Sequence, residues 1–418
     1  MKVQVQRLII IICIFCSLPT PVRSQYFENT DRIFSEYIKT VRLYPVMNSP
    51  RQEFMPAAAP LNREFMLMLE FDDLFAEYER YYIKFIHCNA DWSPSGLFAL
   101  DYLEVYNEFL IENYDFSFNT KVPYLHYSFI LPRFKISGNY LLVVYRESEE
   151  NVILSKRFVM YDNQVIIKGE YDAIGMVTVS RMTQEIQFSL DYQRTDFNNP
   201  RRNIKATIKQ NQRWSNAIYG LEPTFVRESS RVIDFKHFAL ENRFHGGNQF
   251  RFFDLRSLEY YGRNVDKVDI HKEVPQATLE IDKPRKGKAY SDYHDNNGKY
   301  LISHPTESDY AYVEFFIETE RLSGNVYVTG DLSNWEITND FRMEYQQNRK
   351  GYYKSILLKQ GFYDYQYWVE STELQANYLE GDHFETENEY ETLVYYYSFE
   401  LNTDLLIGYF ILTRNPGY

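Results

Sequence analysis

Cysteine is scarce in this sequence, and its placement excludes a disulfide framework. The 418 residues contain three cysteines, and two of them, Cys13 and Cys16, lie within residues 1–24. That segment has a short basic start, an apolar core and a small-residue exit, which is typical of a secretory signal peptide. Its removal leaves Cys88 alone, so we expect an exported protein without an internal disulfide.

Several other features are missing, and each absence excludes a class of function. No stretch of about twenty apolar residues follows the signal peptide, so we expect no direct membrane span. The net charge of -13 argues against a nucleic-acid partner and against adhesion to anionic lipid. The sequence has no G-x-S-x-G elbow, no phosphate-binding glycine loop and no H-E-x-x-H pattern. We therefore predict no catalytic residue, no cofactor and no metal site.

Aromatic residues are abundant and favour β structure. They make up 17% of the chain, with 38 Tyr and 31 Phe against 4 Trp. Tyr and Phe suit the half-buried surface of a pleated sheet. Short alternating runs such as residues 124–131 and 139–145 recur along the chain, with turn residues between them. This pattern predicts an all-β protein of consecutive immunoglobulin-like (E-set) β-sandwich domains.

Turn residues and composition divide the chain into units. After the signal peptide, residues 25–162 and 163–283 are each predicted to form a β-sandwich domain, and residues 301–418 a C-terminal E-set domain. Residues 284–300 are charged and contain glycine, so they are predicted to be a linker or a long loop. Residues 97–111 could form a short helix or an extended arm, because the spacing of their apolar residues fits the period of a helix and that of a strand.

The stretch YYIKFIHCNADWSPSGLFALD, residues 81–101, is the first candidate for a functional site. It predicts a buried strand that runs into a sharp turn of Asn, Asp, Pro and Gly. His87, Cys88 and Asp91 could begin a metal site or a Cys-His pair, but neighbouring residues of a strand point to opposite faces. We expect a buried cysteine and a hydrogen-bonded histidine instead. Trp92 is either a packed ring or an exposed contact for a partner.

The motif GDLSNW at residues 330–335 resembles the turn of glycogen-binding and isoamylase-type sandwich modules. In that family the tryptophan can stack on a sugar, while a basic residue on the later strand and a second aromatic just beyond it complete the platform. Trp335 is therefore a candidate glycan contact. Gln366 stands where the basic residue is expected, and no tryptophan occurs in residues 371–374. Carbohydrate binding through the C-terminal sandwich is accordingly the alternative function.

Several segments occur in a distinctive order along the chain. They are IKTVRLYP, LEFDDL, YYIKFIHCNADWSPSGL, YLHYSFILP, ISGNYLLVVY, QNQRWSNAIYGLEP and GGNQFRFFDLRS. Together they resemble the plug protein family of the Bacteroidetes type IX secretion system. The resemblance spans nearly the whole mature chain, and its His-Cys-Asn-x-Asp-Trp and Gly-Asn-x-Phe-Arg-x-Phe-Asp stretches are distinctive.

The resemblance implies a non-enzymatic protein of the periplasm, associated with the periplasmic side of the outer membrane. It implies binding to the outer-membrane translocon β-barrel, whose periplasmic opening the plug closes when no cargo is in transit. Contacts with other type IX secretion components are left open, and the barrel-contacting residues do not follow from the resemblance. Trp92 and Trp335 remain the candidate contacts for a partner or a glycan.

Overall fold

The fold consists almost entirely of β-strands. The computed structural model describes residues 29–413, except residues 48, 50, 63–65, 173–181 and 238–240. The predicted signal peptide, residues 1–24, lies outside the described residues. Helices in the described part are single turns, namely α1 (Ala99–Tyr102), α2 (Pro200–Asn203) and 3-10 turns at Gln52–Phe54, Glu228–Ser230 and Asp331–Ser333. The predicted all-β sandwich class is confirmed.

The N-terminal domain is a sandwich of two sheets. Its strands are β1 (Arg32–Ile33), β2 (Ile38–Pro45), β3 (Ala58–Pro60), β4 (Leu67–Asp73), β5 (Tyr81–Cys88), β6 (Phe109–Leu110), β7 (Asn113–Phe116), β8 (Leu125–Ile130), β9 (Gly138–Arg146) and β10 (Ser148–Tyr161). One sheet has the order β1-β10-β9-β5-β6 with β3 beside β10, and the other has the order β2-β4-β8-β7. Alternate side chains such as Phe71 and Phe85 fill the core, because successive residues of a strand point to opposite faces.

A middle domain and a third domain follow. The middle domain begins with β11 (Ile166–Asp172), β12 (Thr183–Asp191), β13 (Ile204–Gln210), β14 (Ile218–Leu221), β15 (Phe225–Arg227), β16 (Val232–Phe235) and β17 (Arg243–His245). The third domain contains β18 (Arg251–Asp254), β19 (Val265–Asp269), β20 (Gln276–Leu279), β21 (Tyr300–Ile302), β22 (Tyr310–Glu318), β23 (Asn325–Thr329), β24 (Glu344–Gln346), β25 (Gly351–Lys359) and β26 (Gly361–Glu370). The last strands are β27 (Glu389–Ser398) and β28 (Thr403–Thr413).

Each of these two domains also contains two sheets. In the middle domain one sheet has the order β11-β12-β16-β15 with β17 beside β12, and the other has the order β14-β13-β27-β28. In the third domain the orders are β18-β26-β21 with β23 beside β26, and β19-β20-β22-β25-β24. The chain therefore returns from the third domain to complete the middle one.

This return corrects the predicted domain boundaries. β27 pairs with β13 from Ile204 opposite Tyr396 onwards, so the last two strands do not belong to the C-terminal unit predicted at residues 301–418. β18 pairs with β26, so the third domain already begins at Arg251, inside the unit predicted at residues 163–283. The alternation of a strand shows that it is half-buried, but it does not show its partner. Contiguous units were therefore the wrong expectation.

Residues 284–299 form a long loop that packs onto the third domain. Arg285 donates to Glu380 with an Nη2–Oε2 distance of 2.6 Å, and the Tyr293 hydroxyl donates to the Phe250 carbonyl at 2.7 Å. The segment is thus held along its length by the domain that contains it, and it does not separate two domains.

A buried carboxyl beneath this loop makes stability depend on pH. Burial, followed by the charge of Asp295, raises the pKa of Asp364 to about 8. The folded chain therefore holds this proton up to about pH 8, whereas the unfolded chain releases it near pH 4. The stability that protonated Asp364 contributes is fully present below pH 4, and it is lost as the pH rises through the pKa of Asp364 in the folded protein.

We expect Asp364→Asn to remove this pH dependence, because the amide keeps the shape without a titrating proton. Between about pH 5 and 8 the unfolding free energy of the wild type should fall relative to that of the variant by up to about 1.4 kcal/mol per pH unit. Urea denaturation at several pH values measures the difference. Asp292→Asn, an exposed change on the same loop, is the matched control. Parallel pH curves for wild type and Asp364→Asn would contradict the prediction.

A buried polar network joins the N-terminal domain to the third domain. Asp72 on β4 accepts hydrogen bonds from the Lys359 ammonium at 2.6 Å and from the Tyr310 hydroxyl at 2.6 Å. Its second oxygen lies 2.7 Å from Nδ1 of His126. Burial alone would lower the pKa of His126, but its hydrogen bonds to Asp72 and Glu70 raise it above the usual value. The two domains are therefore fastened through ionic groups that water does not reach.

Candidate functional site

The candidate corner after β5 is a joint between the N-terminal and middle domains. The amide of Asn89 donates to the Ser93 carbonyl at 2.8 Å, and the amide of Trp92 donates back to the Asn89 carbonyl at 2.9 Å. The amide of Ala90 donates to the Asp404 carboxylate at 3.0 Å, and Asp404 lies at the start of β28. The tight turn predicted from the sequence thus exists, and its polar groups bind the neighbouring domain.

Trp92 is packed inside this joint. Its ring is 6% exposed and meets the ring of Trp214 edge to face, with 4.7 Å between centroids. The Arg157 guanidinium lies over both rings, 5.2 Å from Trp92 and 5.3 Å from Trp214. Of the two predictions for Trp92, the packed ring applies and the exposed contact does not. In this fold the chain itself covers the Trp92 ring, which therefore cannot stack on a glycan or a partner.

His87 and Cys88 face different cores, as the strand geometry requires. His87 packs against Tyr102 and Tyr140, while Cys88 joins the cluster that contains Trp92. Burial lowers the pKa of His87 to about 4, and burial, helped by Asp91, raises the pKa of Cys88 to about 12. The imidazole is therefore neutral and the thiol protonated at neutral pH, so the pair offers neither a thiolate nor a cationic acid.

A close approach above His87 requires glycine at the start of β9. A β-carbon at Gly138 would stand 2.4 Å from Nε2 of His87, and the φ of +152° lies where L side chains are rarely found. The sequence ISGNY therefore places glycine where the imidazole and the backbone meet. Within the described residues, no group of three or more His, Cys, Asp or Glu side chains could hold a metal ion.

Trp335 lies at a cavity where all three domains meet. The cavity has a volume of about 340 Å³ and is lined by charged side chains, among them Arg42, Lys156, Lys209 and Glu336. Lys156 of the N-terminal domain donates to Asn334 of the third domain at 3.0 Å. The motif at residues 330–335 thus forms a domain junction.

The sugar platform expected around Trp335 is not assembled. The Arg213 guanidinium lies over the ring at 4.9 Å, and Phe250 meets the ring edge at a centroid distance of 5.8 Å. Gln366 lies on β26 in the position predicted for the basic residue. Both groups against the ring come from the protein itself, so Trp335 is not a free stacking surface in this conformation.

Large apolar side chains project into solvent from the segment between β5 and β8. Phe98 is 81% exposed and Tyr106 is 78% exposed. Other exposed members of the same segment are Leu100, Val105, Phe116 and Phe118. The segment combines the single turn α1 with extended chain and the short strands β6 and β7, so it contains both forms that the sequence left open. Exposed apolar residues grouped in this way mark interaction surfaces.

This exposed segment is a candidate contact surface that sequence reasoning missed. Its apolar residues are visible in the sequence, but their burial could not be assigned because their spacing fits a helix and a strand equally well. Trp214 and Arg157, which cover Trp92, were missed for another reason. Trp214 comes from the middle domain and Arg157 from β10, both far from Trp92 in the sequence, and nothing in a local pattern indicates which segments face the corner.

The fold and the corner define a protein of three interlocked β-sandwich domains with an exposed aromatic segment. The family model described as "Type 9 secretion system plug protein 1st domain" matches residues 38–162. The matched residues make up about a third of the chain, and the match supports the resemblance to the type IX secretion system plug family that was found in the sequence.

A solved structure supports the fold over nearly the whole chain. It is described as a hypothetical protein from Parabacteroides merdae ATCC 43184 and is 28% identical to this chain, with a TM-score of 0.86. The match covers 92% of this chain and 99% of that chain. Among curated proteins, none matches this chain. Within the described residues, no helix is long and apolar enough to cross a membrane.

Proposed function

We propose that this protein is a non-enzymatic periplasmic plug, which binds the outer-membrane translocon β-barrel of the type IX secretion system and closes its periplasmic opening. The family match supports the partner. The observation that carries the proposal is the exposed apolar segment at residues 98–118. Nothing in the fold requires these large apolar side chains to be exposed. A surface of this kind gains stability when a partner covers it.

The domain joints suit this role. The N-terminal domain is fastened to the third domain by Asp72 and Lys359, and to the middle domain by Ala90 and Asp404. A protein that closes a pore must keep its shape while one face is bound. Contacts between the domains hold their arrangement, and this role needs no catalytic group. The buried, protonated Cys88 and the neutral His87 are consistent with a structural protein.

We expect the double substitution Phe98→Ser and Tyr106→Ser to reduce co-purification of the barrel with tagged full-length protein by at least about tenfold. Removing two interface aromatics of hot-spot type costs about 2 kcal/mol or more, and 1.4 kcal/mol is a factor of ten. Cells that carry this double variant in place of the wild type should take up more of a large antibiotic across the outer membrane, because an unbound plug leaves the opening unsealed. Barrel recovery in mild detergent and antibiotic uptake are the two measurements.

Tyr260→Ser with Tyr261→Ser is the matched control, since both tyrosines are exposed on the third domain, at 76% and 59%. This pair should retain the barrel and the permeability of the wild type. Equal loss in both double variants would reject the segment as the contact surface. Absence of the barrel from the wild-type preparation, or unchanged antibiotic uptake in a strain lacking the protein, would reject the plug function itself.

The alternative, carbohydrate binding through the Trp335 motif, is not favoured by the site. Arg213 and Phe250 already lie against the Trp335 ring. Glycan binding that Trp335→Ala abolishes would reverse this conclusion.

A further inference from the structure

A second cavity lies between the middle and third domains, away from the corner and from the exposed segment. It has a volume of about 430 Å³, within the range of small-molecule sites. One wall is the turn after β13 together with β17 and the chain that follows β17, and the other wall is the outer side of β26 with the chain that follows it. Two domains therefore contribute to a single cleft of ligand size.

Arg213 on the first wall carries a charge that no carboxylate neutralises. Its Nη2 donates to Gln210 Oε1 at 2.9 Å, and the amide oxygen of Asn216 lies 2.8 Å from the same nitrogen in the orientation that satisfies both groups. Among the residues that the structure describes, no Asp or Glu forms an ion pair with Arg213. Burial lowers the pKa of Arg213 to about 10, which still leaves it charged at neutral pH.

The other arginines near the cleft differ in this respect. Arg243, on the same cavity wall, pairs with Glu185 at 3.1 Å, and Arg251 on β18 pairs with Glu380 at 3.0 Å. A partly desolvated guanidinium without a counter-charge is a ready partner for a carboxylate. Nε and Nη2 of Arg213 are engaged by Gln210 and Asn216, so Nη1 is the nitrogen that would donate to the ligand's carboxylate. The missing negative charge is therefore expected from a ligand.

The facing wall supplies an aromatic ring and an amide. Gln366 and Trp368 are alternate residues of β26 and both line the cleft, while Tyr365, Tyr367 and Val369 between and beside them are buried in the core of the third domain. Across the described part of the chain, no side chain hydrogen-bonds the amide of Gln366 or the indole nitrogen of Trp368. These groups fit a ligand that has a flat apolar face and hydroxyl groups around it.

We propose that this cleft binds a sugar acid of hexuronate size, with Arg213 pairing with its carboxylate and Trp368 covering the face of its ring. Gln366 then exchanges hydrogen bonds with ring hydroxyls, for which an amide offers both a donor and an acceptor. The proposal is independent of channel closure, since it involves neither Phe98 nor Tyr106.

Calorimetric titration of the purified full-length protein with glucuronate and galacturonate tests the proposal. The wild type should bind at least one of them at least tenfold more tightly than the methyl ester of the same sugar, which lacks the charge. Equal affinity for acid and ester would overturn the role of Arg213. Equal affinity for acetate or inorganic phosphate would overturn the sugar, and no binding of either hexuronate would overturn the whole proposal.

Variants then assign the two contacts. Arg213→Gln should weaken hexuronate binding at least tenfold, Arg213→Lys should weaken it less, and Trp368→Ala should weaken acid and ester alike. Arg349→Gln, an exposed arginine on the turn between β24 and β25, is the control and should bind like the wild type. If Arg213→Gln fails to fold, the acid-to-ester ratio of the wild type still decides the matter. Unchanged binding in a folded Arg213→Gln protein would refute it.

Discussion

Replacement of Lys359 by alanine is expected to lower the free energy of unfolding by about 3–5 kcal/mol. Lys359 and Asp72 are both fully buried, with 2.6 Å between Nζ and Oδ2. The ammonium also donates to the Pro305 carbonyl at 2.5 Å and lies 4.1 Å from the centroid of the Tyr124 ring. Alanine removes all three contacts and leaves the carboxylate of Asp72 inside the protein without its cation.

The loss of unfolding free energy in Lys359→Ala arises because the Asp72 carboxylate is left buried without a counter-ion, rather than because the intact ion pair is strongly stabilising. Desolvation of two ions offsets most of their attraction, so an intact buried pair adds little net stability. Burial lowers the pKa of Lys359, and Asp72 opposes that shift. Removal of both charges, in Asp72→Asn with Lys359→Met, should therefore cost less than the sum of the two single changes.

Urea denaturation of the single and double variants measures these differences. Lys354→Ala is the matched control, because Lys354 lies on the same strand and its ammonium donates to the Asn339 carbonyl at the surface. It should change the unfolding free energy by no more than about 0.5 kcal/mol. A loss in Lys359→Ala no larger than this would show that the network does not hold the two domains together.

The sequence predicted what depends on local pattern and failed where distant segments meet. The strand ending in Cys88 and its turn were predicted correctly, because alternation and the residues Asn89 to Gly96 encode them directly. The pairing of β27 with β13 was not, since the two strands lie far apart in the sequence and many strands of this chain alternate equally well. Long-range pairing depends on which surfaces complement each other, and a single sequence does not display that.

The same limit explains the two tryptophan predictions. Trp92 could be recognised as a packed ring or an exposed contact, but the choice depends on Trp214 of the middle domain. Trp335 belongs to a motif whose tryptophan was expected to stack on a sugar, whereas here Arg213 from another domain lies over its ring. A motif predicts the local turn correctly, and its surroundings decide whether it can bind anything.

Trp92→Ala is expected to lower the free energy of unfolding by about 3–5 kcal/mol, the usual cost of removing a buried tryptophan ring. The ring fills the joint between two domains, so its loss opens a cavity that neither domain can close alone. Trp92 has a φ of +68°, and alanine would keep the same backbone. The measured difference therefore reports the ring rather than the turn.

Trp368→Ala is the matched control, because this ring lies on the outer face of β26 and is only half-buried. It should cost clearly less than Trp92→Ala in the same urea titration. A double-mutant cycle of Trp92→Ala and Trp214→Ala should give a coupling energy of about 0.5–1.5 kcal/mol, since the rings meet edge to face. Strictly additive effects would show that the rings stabilise their own domains separately, and the corner would then lose its role as the joint between them.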